Sequence, residues 1–272
     1  MMSKPKISII IPCYNMGDFI DEAIQSVLQY PKVELYEIVV INDGSDDPHT
    51  ISKLKQLESE GIKIIHQENK GLGNARNTGI QVAQGDYILL LDADNKILPE
   101  YISLSIEILD KHSETAIVYG DALFFGEENR INEVPDFSIE ALLKENYIDA
   151  CAVFRKGVWE TVGGFDENMP VMGWEDWDFW LRAFFKGYKF RHIDQVLFEY
   201  RVRSDSMIQT TKHHQEKLRN YIFNKPELAE AKELRNAFQQ LYDIKYSKES
   251  FHRSLAYKVS RKVYKIFKRD IA

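Results

Sequence analysis

The sequence predicts an α/β fold with a mainly parallel central sheet flanked by helices and a C-terminal helical extension. Three observations predict it. Over roughly residues 1–120, short apolar runs alternate with amphipathic segments, which is the pattern of βαβ units. Polar clusters fall at the carboxyl ends of those runs, where open α/β sheets hold ligands. After about residue 212 the strand signals stop and the chain reads as helices.

In chain order, Ile7–Ile11 is an apolar run read as a strand and Phe19–Leu28 an amphipathic helix. Tyr36–Ile41 and Lys63–His66 are the next strands, with Pro48–Ser59 and Asn74–Ala83 as helices. Tyr87–Leu91 is short and fully apolar, so it reads as a strand buried on both faces. A helix over Pro99–Lys111 and a strand at Ile117–Tyr119 follow. Right-handed crossovers would place the helices on both faces of the sheet. Beyond residue 121 the alternation fails: Asp121–Pro135 reads as a hairpin or loop, Ile139–Leu143 as a short helix and Ala150–Phe154 as a strand. A glycine-rich turn, Gly163–Glu167, precedes a helix starting near Glu175, since acids favour the first turn. Val196–Val202 is the last strand. The organisation read from this is a domain over 1–211, with halves at about 1–120 and 121–211, and a helical extension over 212–272.

Composition narrows the function. The chain has 272 residues and 44% hydrophobic content, normal for a globular protein. No stretch approaches the ~20 apolar residues that cross a membrane, and the N-terminal apolar run is too short for a signal peptide, so a cytoplasmic protein is expected. Cys13 and Cys151 make no disulfide framework, and no Cys/His zinc spacing occurs. The net charge is −7, but residues 251–272 carry seven Lys/Arg against one acid, leaving 28 basic and 41 acidic residues over 1–250. An acidic body argues against nucleic-acid binding.

The most informative stretch is the end of the Tyr87–Leu91 run, where Asp92 and Asp94 stand two residues apart. If the extended geometry persists, both carboxylates point to one side. They then repel each other unless a cation intervenes, and a hard divalent ion bridging to substrate phosphates suits them. The plain alternative is a polar turn closing a strand. Two further clusters, Pro12-Cys13-Tyr14-Asn15 and Asn42-Asp43-Gly44-Ser45-Asp46, end other strands and converge on the same edge.

Five motifs occur in order: Ser8–Asn15, Val40–Ser45, Gly73–Asn77, Asp92-Ala93-Asp94 and Trp174-Glu175-Asp176. Over residues 5–205 the chain resembles the inverting family 2 glycosyltransferases of the GT-A fold, of the type that builds bacterial cell-surface polysaccharide. The resemblance implies transfer from a nucleotide-diphospho-sugar, a UDP-sugar foremost, to a hydroxyl of a glycan or lipid-linked acceptor. It implies Mg²⁺ or Mn²⁺ on Asp94, with Asp92 near the ribose. Pro12, Tyr14, Asn15 and Asp43 would bind the donor, with Asp43 accepting from the base N–H and Tyr14 offering an aromatic face. Arg76 would reach the nucleotide or its phosphates. Asp176 would be the general base, with Trp174 and Glu175 positioning the acceptor. Trp174 and Trp177 would raise the base's pKa by excluding water, while a helix N-terminus would lower it.

One departure matters. Arg203 stands where many relatives carry a metal-binding histidine, in Tyr200-Arg201-Val202-Arg203. An arginine cannot ligate a cation but can clamp a diphosphate. His192, His213 and His214 are possible substitutes for that histidine but read first as ordinary surface histidines, and Cys13 reads as a packing residue. A nucleotidyltransferase would need a glycine-rich loop after the first strand, which is absent; Gly71-Leu72-Gly73-Asn74-Ala75-Arg76 fails the dinucleotide fingerprint. A non-catalytic nucleotide-sugar-binding module with a degenerate metal site is the remaining alternative. The tail over 251–269 reads as a basic amphipathic helix, suited to an anionic membrane surface at the inner face of the cell membrane or to packing on the acidic body.

Overall fold

The computed structural model describes residues 4–204, 206, 211 and 213–253, with side chains described as far as residue 246. The basic helix expected over 251–269 therefore lies almost wholly outside the described residues. The elements are β1 (Ile7–Cys13), α1 (Ile20–Leu28), β2 (Tyr36–Asp43), α2 (Pro48–Ser59), β3 (Lys63–Gln67), α3 (Leu72–Val82), β4 (Tyr87–Leu90), β5 (Lys96–Ile97), α4 (Pro99–Lys111), β6 (Thr115–Gly126), β7 (Arg130–Asn132) and α5 (Ile139–Lys144). They continue as β8 (Val153–Arg155), α6 (Lys156–Val162), α7 (Glu175–Phe185), β9 (Lys189–Val202), α8 (Gln215–Phe223) and α9 (Ala229–Arg253).

One sheet carries all of these strands in the order β3-β2-β1-β4-β8-β6-β9-β5, with β7 on β6. The half β3-β2-β1-β4 is parallel, as βαβ alternation requires. The other half is mixed: β8 is antiparallel to both neighbours, while β9 returns parallel to β6. Asp121–Pro135 forms a hairpin, since β6 runs on to Gly126 and pairs with β7. The last strand begins at Lys189, where Lys-Phe-Arg-His-Ile-Asp has no apolar run to announce it. Strand β5 and helix α6 carry too few residues to show a period.

Period-2 alternation sorts the strand residues onto two cores. Ile9, Ile11, Leu89 and Leu91 pack with α1, α2 and α4 through Ile24, Leu54 and Tyr101. Ile10, Ile88 and Leu90 pack on the opposite face with Ile80, Phe154 and Trp180. Local chemistry sets the helix ends. Asp47 caps α2 by accepting from Thr50 N, with Pro48 at its first position. Gly163, left-handed at φ 85°, ends α6. Gly79 seats α3 on the sheet, because a Cβ there would collide with Ile10. From α8 and α9, Ile222, Phe223 and Ala231 join the same core as Trp177. No helix of the described residues is long and apolar enough to cross a membrane.

Candidate active site

A cavity of about 580 Å³ opens at the carboxyl ends of the parallel strands. Its wall includes Pro12, Tyr14, Asp43, Arg76, Asp92, Asp94, Trp174, Glu175, Asp176 and Arg203. The structure thus brings together ten of the eleven residues singled out in the sequence. Tyr14 is 43% exposed and presents its ring there.

Asn15 is the exception. It sits at φ 54° after β1, a left-handed conformation that Asn tolerates. Its Oδ1 accepts from the amides of Asp46 and Asp47, and its Nδ2 donates to Asp46. With both ends of the amide engaged, Asn15 ties the β1 end to the loop before α2. Asn15 thus organises the rim of the cavity, and its direct contact with the donor stays a proposal.

Asp43 is likewise well engaged. Oδ1 accepts from Gln67 Nε2 at 2.7 Å and Lys70 N at 2.9 Å, and Oδ2 from Gly71 N at 2.9 Å. These bonds draw the chain before α3 against the end of β2. They leave Oδ2 with acceptor capacity for one further N–H.

Arg76 is 1% exposed and lies between two carboxylates, Nη2 to Asp92 at 2.9 Å and Nη1 to Glu175 at 2.5 Å. Burial works against its charge, but Asp92, Glu175 and Asp176 outweigh burial and hold the guanidinium ionised. Both terminal nitrogens are thus committed to protein carboxylates. Arg76 braces Asp92 against the start of α7 while lining the cavity; its reach to the nucleotide or its phosphates stays a proposal.

Asp94 faces Arg203 at 3.5 Å. Burial and the neighbouring Asp92 carboxylate push Asp94 up to about 6, with Arg203 pulling the other way. The Arg203 guanidinium also lies 4.6 Å over the Phe19 ring, a cation–π contact that helps fix it.

Asp176 opens α7. Its Oδ2 accepts from Asn146 Nδ2 at 2.8 Å and its Oδ1 from Trp177 N. Burial, then the adjacent Glu175 carboxylate, raise its pKa well above the ordinary carboxylate range, against Arg76. Trp174, just before α7, holds φ 66°, an outlier for so bulky a residue and a form of strain that gathers at functional sites. Trp177 belongs to the core: it is 1% exposed and donates to Leu142 O.

Asn146, Tyr147 and Asp149 also line the cavity and were not anticipated. Asp149 is pushed up to about 6 by burial and by Asp92. Cys13 is buried, and burial raises its thiol to about 11, which suits packing and not nucleophilic attack. His213 and His214 are exposed, as read. His192 is not: it is 5% exposed, stacks on Tyr119 and pairs with Asp121 at 3.0 Å.

Residues 8–165 match the model of glycosyl transferase family 2. The chain belongs to this family. It is 30% identical over 190 residues to an uncharacterized glycosyltransferase of Rickettsia conorii, covering 65% of this chain and 31% of that protein. It is 27% identical over 225 residues to the putative glycosyltransferase EpsH of Bacillus subtilis, covering 76% of this chain and 64% of that one. Over 199 residues it is 28% identical to the chondroitin synthase of Escherichia coli, covering 71% of this chain and 28% of the synthase. The chain therefore spans less than two thirds of each of these relatives. Among solved structures, S. aureus TarS 1-349 in complex with UDP-GlcNAc superposes with a TM-score of 0.68 at 18% identity, over 86% of this chain and 71% of TarS. At that identity the likeness concerns the fold.

Proposed function

We propose that this family 2 chain is an inverting glycosyltransferase that moves a sugar from a nucleotide-diphospho-sugar to an acceptor hydroxyl, with Asp176 as general base. The observation that carries the reading is the single cavity in which the strand-end acids Asp43, Asp92 and Asp94 meet Asp176 from the far half of the chain. The acceptor oxygen attacks the anomeric carbon from the face opposite the diphosphate, the bond to the diphosphate breaks, and Asp176 takes the hydroxyl proton. The UDP and UDP-GlcNAc complexes of TarS favour a uridine donor. The chondroitin synthase relative favours a glycan acceptor and a place in polysaccharide assembly; a lipid-linked acceptor is the other form of this reading.

A divalent cation suits this wall. Its acids outnumber the guanidiniums of Arg76 and Arg203, an unfavourable field for a diphosphate, and Asp94 is raised by its like-charged neighbour. Asp94 would hold Mg²⁺ or Mn²⁺, which would supply Lewis-acid stabilisation of the departing diphosphate. Arg203, beside Asp94, adds a fixed positive charge for the same group.

A thermal-shift panel of UDP, GDP, TDP and CMP, with and without Mn²⁺, tests the reading. A ligand at 100 times its Kd adds ~2.7 kcal/mol of stability. A Mn²⁺-dependent shift with UDP is expected, reduced in Arg203→Ala. Unchanged affinity in that variant removes Arg203 from the site. No shift with any nucleotide favours the non-catalytic binding module.

The anionic membrane surface stays as a partner in this reading, supported by the charge of 251–272 and by α9, where Leu241, Tyr242, Ile244 and Tyr246 are exposed. Co-sedimentation with anionic vesicles is expected to fall when residues 251–272 are removed. Equal partition of both forms would sink the anchor.

A further inference from the structure

The chain entering β8 brings Asn146 to the cavity beside α7. Asn146 Nδ2 donates to Asp176 Oδ2 at 2.8 Å. The other end of the same amide, Oδ1, is buried and has no hydrogen-bond partner. An amide retained for packing would have its carbonyl satisfied, because an orphaned buried acceptor is destabilising. This amide instead turns its donor to the carboxylate and leaves its acceptor bare.

We infer that Asn146 is the positioning residue of Asp176: its amide fixes the carboxylate at the cavity wall and favours the ionised form. The inference rests on the proposed role of Asp176 as base. Two N–H groups bracket that carboxylate, Asn146 Nδ2 on Oδ2 and Trp177 N on Oδ1. A carboxylate held on both oxygens has few orientations left, and N–H donors favour its charged state. The surroundings push the other way. Burial disfavours the charge most, and Glu175 on α7 and Asp149 before β8 add to it; Arg76 on α3 favours it, and Tyr200 on β9 also faces the acid cluster. In that setting Asn146 tips Asp176 toward the form able to accept a proton. The two residues stand 30 positions apart in the chain, so the base is fixed by tertiary structure and not by its own helix alone.

A carboxyl carbon-13 NMR titration of aspartate-labelled protein tests this without substrate. The Asp176 resonance is assigned by its loss in Asp176→Asn. Losing one charge-assisted hydrogen bond in Asn146→Ala is expected to raise the midpoint by about one pH unit, or roughly tenfold in the ionisation constant. Asn146→Asp, which keeps the shape and adds a like charge, is expected to raise it further. An unchanged midpoint in both variants overturns the inference. The acid limb of kcat is expected to move with the midpoint, while donor KM stays as in the parent. If the midpoint moves and the acid limb does not, the pairing stands and the base reading of Asp176 falls.

Discussion

Replacing Asp176 with Asn is expected to lower turnover by about 10²–10⁴-fold, the usual contribution of a positioned general base, with nucleotide affinity unchanged. The two effects separate because Asp176 lies on α7, while Tyr14 and Asp43, proposed here to meet the nucleotide base, come from the ends of β1 and β2. Asn fills the same space; its oxygen can keep the Trp177 N bond while its amide nitrogen donates to the Asn146 carbonyl once that amide turns over, so position is kept and only proton acceptance is lost. The pH dependence has a defined sign. Burial and Glu175 raise the Asp176 pKa, so the active ionised form is lost as pH falls through a value above the ordinary ~3.9 of aspartate. The same shift bears on stability. A carboxyl whose folded pKa exceeds its unfolded pKa binds its proton more tightly when folded, so its ionised form weakens the fold at neutral pH. Asp176→Asn is therefore expected to leave Tm unchanged or higher while activity collapses. Turnover, calorimetric titration with UDP and a melting curve on one preparation check all three. Loss of nucleotide binding along with activity would place Asp176 in the donor site instead.

The parts of the site that lay at the ends of parallel strands were legible, because apolar runs ending in acids show strand and edge together. Asp43, Asp92 and Asp94 belong to this class. Asn146 and Asp149 did not, because β8 runs antiparallel to β4. Reversal brings the residues before a strand, and not those after it, to the ligand edge, and nothing in a local pattern reveals strand direction. Two further features are ones that sequence does not display: Asn15 bonds to the loop before α2, and Arg76 is paired with Asp92 and Glu175. His192 was misplaced for a related reason: charged residues flank it in sequence, but β9 turns it inward onto Asp121.

The largest stability effect is expected at Lys225, far from the cavity. Its ammonium meets Asp166 at 2.5 Å and Asp178 at 2.6 Å, and the Asp178 side chain is wholly buried. Asp178 also holds Arg182, whose remaining nitrogens donate to Val162 O and Gly164 O. This network joins the turn after α8 to α7 and to the glycine-rich turn before it. Lys225→Met keeps the stem but strands two acids, and breaking a buried pair from one side costs about 3–5 kcal/mol. Because Arg182 still serves Asp178, the lower end applies, about 3 kcal/mol or a fall of roughly 6–12 °C in Tm. Burial works against the charge of Asp166, but its bonds to Lys225 and Asn168 prevail and leave its pKa lowered. That contribution is present above the unfolded pKa and is lost as pH falls through the lowered folded value. The gap between Lys225→Met and the parent should accordingly narrow in acid. Asp166→Asn on the Lys225→Met background should recover part of the loss, since it removes one stranded charge. A parent-like melting curve for Lys225→Met at neutral pH would show the network to be incidental. Activity should fall at temperatures below the new Tm, because α7, which carries Asp176, is held from behind by the helices that Lys225 fastens.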